Sequence, residues 1–181
     1  MKPVYTVKAV KTFRGHDGYG YSCNLLKDGK KVAEVVEDGW GGGLQFHWKD
    51  NKTTATVKTR TYDDKEHSFQ GTVEESVFYE YVMSLPKIPT HDELDTMFTS
   101  PDIVIDDMVN DSIAFKKVAS DMKKKITIQD TDGKFLVWKI TSEHTAEIIK
   151  AHILKKYPSG KILNELPTDE VVSIFKKAKL V

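Results

Sequence analysis

Tyr21 to Leu26 and Lys31 to Val36 flank Lys27-Asp28-Gly29-Lys30. Asp-Gly between two apolar runs favours a two-residue type I′ turn, because both central residues must take positive φ and these two do so at low cost. A chain with this hairpin is built outward from antiparallel strands. Val4 to Phe13 alternates apolar and polar residues, as does Leu44 to Trp48. After a turn at Asp50-Asn51, the Thr and Val content of Thr53 to Tyr62 suits another strand. The first third therefore reads as a meander of about four or five strands.

The spacing then changes to that of helices. Thr72-Val73-Glu74-Glu75 fits a capping box, followed by a stripe of Val73, Val77, Tyr81 and Leu85 that Pro86 ends. Thr90-His91-Asp92-Glu93 repeats the capping pattern for a short helix. Ser100 before Pro101 and Asp102 opens a longer helix, with Val104, Met108, Phe115 and Met122 on one face over about five turns. Lys125 to Gln129 and Lys134 to Ile140 flank Asp130-Thr131-Asp132-Gly133 as a second hairpin. Ser142 caps a helix with Ala146, Ile149, Ile153 and Tyr157 inward, and Thr168 opens a final one carrying Val171, Val172, Ile174 and Phe175. The expected fold is α+β in a single domain, a mainly antiparallel sheet of about five to seven strands packed by about four helices. Within it, residues 1–62 form the meander, 63–124 an acidic helical segment, and 125–181 a hairpin with two helices.

The formal net charge is zero, from 27 Lys+Arg and 27 Asp+Glu, and the average hides a segregation. Residues 1–62 carry 11 basic and 6 acidic side chains (+5), residues 63–112 carry 2 and 13 (−11), and residues 113–181 carry 14 and 8 (+6). Such an acidic block either folds back on its basic flanks or presents a negative face to a partner. Asp102 and Asp106 are four apart, as are Asp107 and Asp111, so each pair shares a helix face and repels. Of these, Asp102 alone gains from the helix N-terminus. No apolar run approaches the roughly 18 residues of a membrane span, and Met1 leads directly into strand-like sequence without a signal-peptide core. A soluble intracellular protein is expected.

Residues with catalytic chemistry are scattered. The single Cys23 excludes an internal disulfide and a multi-cysteine zinc site, and lies in a predicted strand as a core thiol. His16, His47, His67, His91, His144 and His152 show no metal-ligand spacing, so neither metal nor cofactor is expected. Two glycine-bearing loops remain, Gly15-His16-Asp17-Gly18-Tyr19-Gly20 and Gly39-Trp40-Gly41-Gly42-Gly43. Glycines let backbone amides line a concavity for an anion, with Arg14, His16 and Lys30 as charge partners, or let two strands approach closely. Trp40, among those glycines, is the aromatic expected to be exposed.

Lys11-Thr12-Phe13-Arg14-Gly15-His16-Asp17-Gly18-Tyr19-Gly20-Tyr21, the hairpin through Lys30-Lys31-Val32-Ala33, and Asp38-Gly39-Trp40-Gly41-Gly42-Gly43 with Trp48 together resemble a group of small bacteriophage and prophage proteins. Those share a Phe-Arg-Gly opening, an Asp-Gly-Lys-Lys-Val-Ala hairpin and an Asp-Gly-x-Gly-Gly loop. The likeness is closest over residues 11–48, looser over 123–165, and leaves out the acidic middle. It implies a phage accessory protein acting in the bacterial host cytoplasm. The first expectation is a non-enzymatic inhibitor that binds a host defence protein, such as a nuclease, through Asp95, Asp102, Asp106, Asp107 and Asp111, with Trp40 as anchor. The second is a nucleotide or cyclic-oligonucleotide binder or enzyme using Arg14, His16, Gly18, Gly20, Lys30, Gly39, Gly41, Gly42 and Gly43. Direct nucleic-acid binding ranks third, because the chain lacks a net positive charge.

Overall fold

The computed structural model describes residues 3–16, 18–61, 65–89 and 96–180. The fold is α+β with antiparallel sheets, as expected. Contacts gather the chain into two compact units, residues 1–112 and 113–181. In the first unit β1 (Tyr5–Arg14), β2 (Tyr19–Lys27), β3 (Lys30–Glu37) and β4 (Gln45–Trp48) form a four-stranded antiparallel meander in chain order. Asp28 and Gly29 both take positive φ, 50° and 79°, the backbone that a type I′ turn needs. Asp28 also closes onto the chain start, donating its amide to the Val4 carbonyl at 2.9 Å and accepting the Val4 amide at 3.0 Å.

The next hairpin was only half legible. β5 (Thr54–Arg60) pairs with β6 (Glu66–Thr72), a strand inside the stretch read as helical. Its Glu66 pairs with Arg60 across the hairpin, so part of the acidic block is a strand edge facing a basic strand. Thr72 then caps α1 (Val73–Met83) in a complete capping box: its hydroxyl accepts from the Glu75 amide at 3.1 Å, and Glu75 accepts from the Thr72 amide at 3.2 Å. The buried face of α1 is Phe78 and Val82, one residue round from the expected stripe, and Val73 is exposed. Phe78 is the centre of the unit's core. Its ring lies 5.0 Å from Tyr5, 5.8 Å from Phe46 and 6.0 Å from Trp48, arrangements that aromatic pairs favour.

Two-residue ladders β7 (Ile88–Pro89) and β8 (Thr96–Met97) precede α2 (Pro101–Met122). The short helix expected from Thr90 to Glu93, and Asp95 with it, lie outside the described residues. α2 has 22 residues, about six turns, and Val104, Ile105 and Val109 enter the first unit's core. Phe115, expected inward, is exposed, while Ala114 and Val118 are buried in the second unit.

In the second unit β10 (Phe135–Lys139), β9 (Lys125–Gln129) and β11 (Lys161–Ile162) form an antiparallel sheet with β9 central. α3 (Ala146–Lys156) buries Ile149 and Ile153 on it, and Thr145 rather than Ser142 is its N-cap. α4 (Thr168–Lys177) buries Val171 and Val172 against Val118 and Leu163. Asn164, in a 3-10 turn over Leu163–Glu165, joins three backbone groups. Its Oδ1 accepts from the Thr127 amide at 2.8 Å, and its Nδ2 donates to the carbonyls of Met122 and Lys125 at 2.9 and 2.7 Å. Asn164→Ala leaves all three without that partner and is expected to cost about 2 kcal/mol, measured as a lower urea midpoint at unchanged m-value. A loss under about 0.5 kcal/mol would mean that water replaces the amide without penalty.

Candidate functional site

The two glycine-bearing segments converge because β2 joins them: the chain enters β2 after the first and leaves β3, its neighbour, into the second. Their contact is backbone on backbone. A Cβ on Gly15 would stand 2.6 Å from the Gly39 Cα, and Gly39 itself has φ +72°, so both positions exclude a side chain for steric reasons. The close-approach reading therefore holds at Gly15 and Gly39. At Gly20 the Phe13 ring and the Glu37 carbonyl occupy the space a Cβ would need.

Two of the loop amides face the chain's own carboxylates. Gly39 donates to Glu37 Oε1 at 3.0 Å and Trp40 to Asp38 Oδ1 at 2.9 Å, while Asp38 Oδ2 accepts from Gln45 Nε2 at 3.1 Å. The Gly15 amide donates to the Gly18 carbonyl at 2.8 Å. These donors are engaged within the loops, where an anion cradle would need them free. Lys30 is also in the wrong place for such a cradle. It pairs with Lys27 at the other end of β2 from Tyr19, and nine residues at ~3.3 Å rise put roughly 26 Å between those ends. Of the proposed ligand residues, the register brings Arg14 and His16 to the glycine loops and leaves Lys30 apart.

The loops present an aromatic tip. Trp40 is 65% exposed and Tyr19 82% exposed, and the His16 ring lies 5.0 Å from that of Trp40. Arg14 is paired with Tyr19 across β1 and β2 and is also exposed. Gly18, Gly42 and Gly43 stand in open space, with nothing within reach of a Cβ. Packing inside the chain does not call for glycine at these three positions.

The acidic helix is attached to the same region. Asp106 Oδ1 accepts the Tyr21 hydroxyl at 2.5 Å, and the amide of Leu44, the residue that follows Gly43, favours the charged form of Asp102. Both loops are thus anchored, just beyond their ends, to successive turns of α2. Burial and the Asp106 carboxylate push the Tyr21 phenol far above the ordinary range, which keeps it a proton donor. Asp102 is raised as well, by desolvation first and the like charge of Asp106 in addition, with the Leu44 amide opposing. Asp107 and Asp111 line a shallow groove of about 300 Å³ with Leu85, Pro86, Ile88 and Met108. Asp107 and Asp111 are exposed there.

Cys23 is buried, and desolvation with Glu34 nearby pushes its thiol up to about 11, the behaviour of a core residue and not of a nucleophile. Sequence reasoning missed the Tyr21–Asp106 pair, since it sought cationic partners for the aspartates and a phenol 85 residues away carries no local signal.

Two measurements test this anchoring. Tyr21→Phe removes the donor to a charged acceptor and is expected to cost about 1–2 kcal/mol, most of it absent when Asp106 is already Ala. In a carboxyl NMR titration Asp102 is expected to titrate above, and Asp50 below, the ordinary aspartate value. A carboxyl raised on folding contributes stability below its unfolded pKa and loses it as pH rises through the folded one. Asp102→Asn, which keeps an acceptor for Leu44, should therefore gain on the wild type as pH rises from about 3 to 6. The reverse order of titration would remove the like-charge account.

Compared with protein families, curated proteins and solved structures, the chain matches none.

Proposed function

We propose that this chain is a partner-binding protein, a phage-type accessory factor that docks onto a host protein through the aromatic tip, with the carboxylates of α2 steering the encounter. One observation carries the reading: Trp40 and Tyr19 stand largely in solvent on loops that are otherwise held tightly. Exposed large aromatics cost solvation in the free protein, and Trp, Tyr and Arg are the residues that dominate binding energy at interfaces. Here they are pre-organised. The Gly15–Gly39 contact and the Asp38 hydrogen bonds order the loops before any partner arrives, which reduces the entropy lost on binding. Gly18 before Tyr19, and Gly42 and Gly43 after Trp40, stand in open space and leave room for a partner's backbone to approach.

The role of the aspartates is narrower than five equivalent contacts. Asp102 and Asp106 serve the fold, so the steering charge falls to the exposed Asp107. A basic surface on a nucleic-acid-handling host protein has the complementary sign. The bacterial cytoplasm is the compartment this reading requires, and among the described residues no helix is long and apolar enough to cross a membrane.

Trp40→Ala and Tyr19→Ala should each lower capture of the bound host protein at least tenfold, measured by affinity purification from the bacterium, with melting temperature unchanged because neither side chain is in a core. Asp107→Lys should slow association and flatten its salt dependence while leaving dissociation nearly unaltered. Capture that survives the loss of both aromatics would remove the tip from the account.

A further inference from the structure

A second concavity in the first unit, of about 390 Å³, is lined by Lys31, Val32, Lys49, Asp50, Asn51, Lys52 and Glu74. That volume lies within the range of small-ligand sites, about 300–1,000 Å³. Its lining holds three ammonium groups and two carboxylates, and both carboxylates are engaged by the chain's own donors. Glu74 takes Lys27 Nζ at 3.2 and 3.3 Å on its two oxygens, in a half-buried ion pair. Asp50 accepts the Lys52 amide at 3.0 Å on one oxygen and the Thr53 hydroxyl at 2.9 Å on the other. The carboxylate of Asp50 thus builds the turn that carries Lys49 and Lys52, and these same bonds hold it below the ordinary aspartate range. Lys31 reaches Glu34 only at 3.5 Å, between exposed side chains.

The turn is held in place on both sides. The Lys49 amide donates to the Val32 carbonyl at 2.8 Å, and the Val73 amide donates to Thr53 at 3.3 Å. Three lysines consequently converge on one hollow from a strand and a fixed turn, with the Asn51 side chain beside them. An ammonium group is a point charge with three donors, suited to an anion that offers several acceptors in different directions.

We propose that this hollow binds a condensed phosphate, the diphosphate group of a small molecule, with Lys31, Lys49 and Lys52 as its charge partners. The assignment is independent of the aromatic tip. It also moves anion recognition away from the glycine loops, where the amides of Gly15, Gly39 and Trp40 are engaged, to lysines outside them.

The probe is inorganic pyrophosphate, titrated against the intact chain in a phosphate-free buffer free of divalent cations. ADP and adenosine run in parallel, and sodium sulfate at matched ionic strength serves as the control. Pyrophosphate and ADP should raise the melting temperature saturably, because a ligand of the native state stabilises it. They should also shift the backbone amide resonances of residues 49 to 52, while adenosine does neither. Lys49→Gln with Lys52→Gln should weaken pyrophosphate at least tenfold, and Trp40→Ala should leave it unchanged. A response to pyrophosphate alone would identify the ligand as free condensed phosphate, and an equal or stronger response to ADP would identify it as a nucleotide. No saturable shift, a shift equal to that of sulfate, or full retention of affinity in the double lysine variant would each overturn the proposal.

Discussion

Two aspartates one turn apart on α2 organise the first unit. Alone, Asp102 and Asp106 repel by a few tenths of a kcal/mol, and the raised titration of Asp102 records part of that repulsion. Each is compensated by a donor from the sheet side: the Tyr21 phenol from β2, and the Leu44 amide just before β4. These contacts fix where the helix starts relative to the strands it covers, and Val104, Ile105 and Val109 follow into the core from there. Tyr21 and Leu44 lie just beyond the two glycine-bearing loops, so α2 meets the sheet close to where those loops begin and end.

The segregation of charge along the chain has no single structural meaning. Some acidic side chains meet the basic first third, as Glu74 meets Lys27 and Glu66 meets Arg60. Others bind neutral donors, and Asp107 is exposed at a groove with an apolar floor. Exposed ion pairs add at most about 1 kcal/mol each, so the first unit is held by the aromatic cluster around Phe78 and the second by its own largely aliphatic cores. The glycines divide in the same way. Gly15 and Gly39 are required by a close backbone approach, whereas Gly42 and Gly43 have open space around them and become meaningful through whatever approaches from outside.

Anion recognition shows how the residues suited to one class of chemistry change once the fold is known. Glycine-rich loops suggest phosphate because free amides bind it, yet whether an amide is free depends on the nearest carboxylate. Here Glu37 and Asp38 take the amides of Gly39 and Trp40. Lys49 and Lys52 lie in a short polar turn that resembles any other surface turn in sequence. Their convergence with Lys31 follows from the pairing of β3 with β4, which brings Ala33 opposite Trp48.

What the sequence determined by itself was local. The Asp28-Gly29 turn, the Thr72–Glu75 capping box, the inward face of α3 and the start of α4 at Thr168 each depend on residues within one or two turns of each other, where φ preference, side-chain reach and periodicity suffice. The exposure of Trp40 belongs here too, since the glycines on both sides bring no side chains to cover it. What tertiary structure decided was every pairing across distance. β6 looked like part of an acidic helix until β5 claimed it. The buried face of α1 turned by one residue because Phe78, larger than Val77, filled the space between Tyr5, Phe46 and Trp48. Asp106 found a phenol far away in the chain. A helix face or a strand edge has several partners of nearly equal local merit, and the choice among them is made by close packing, which only the assembled chain can evaluate.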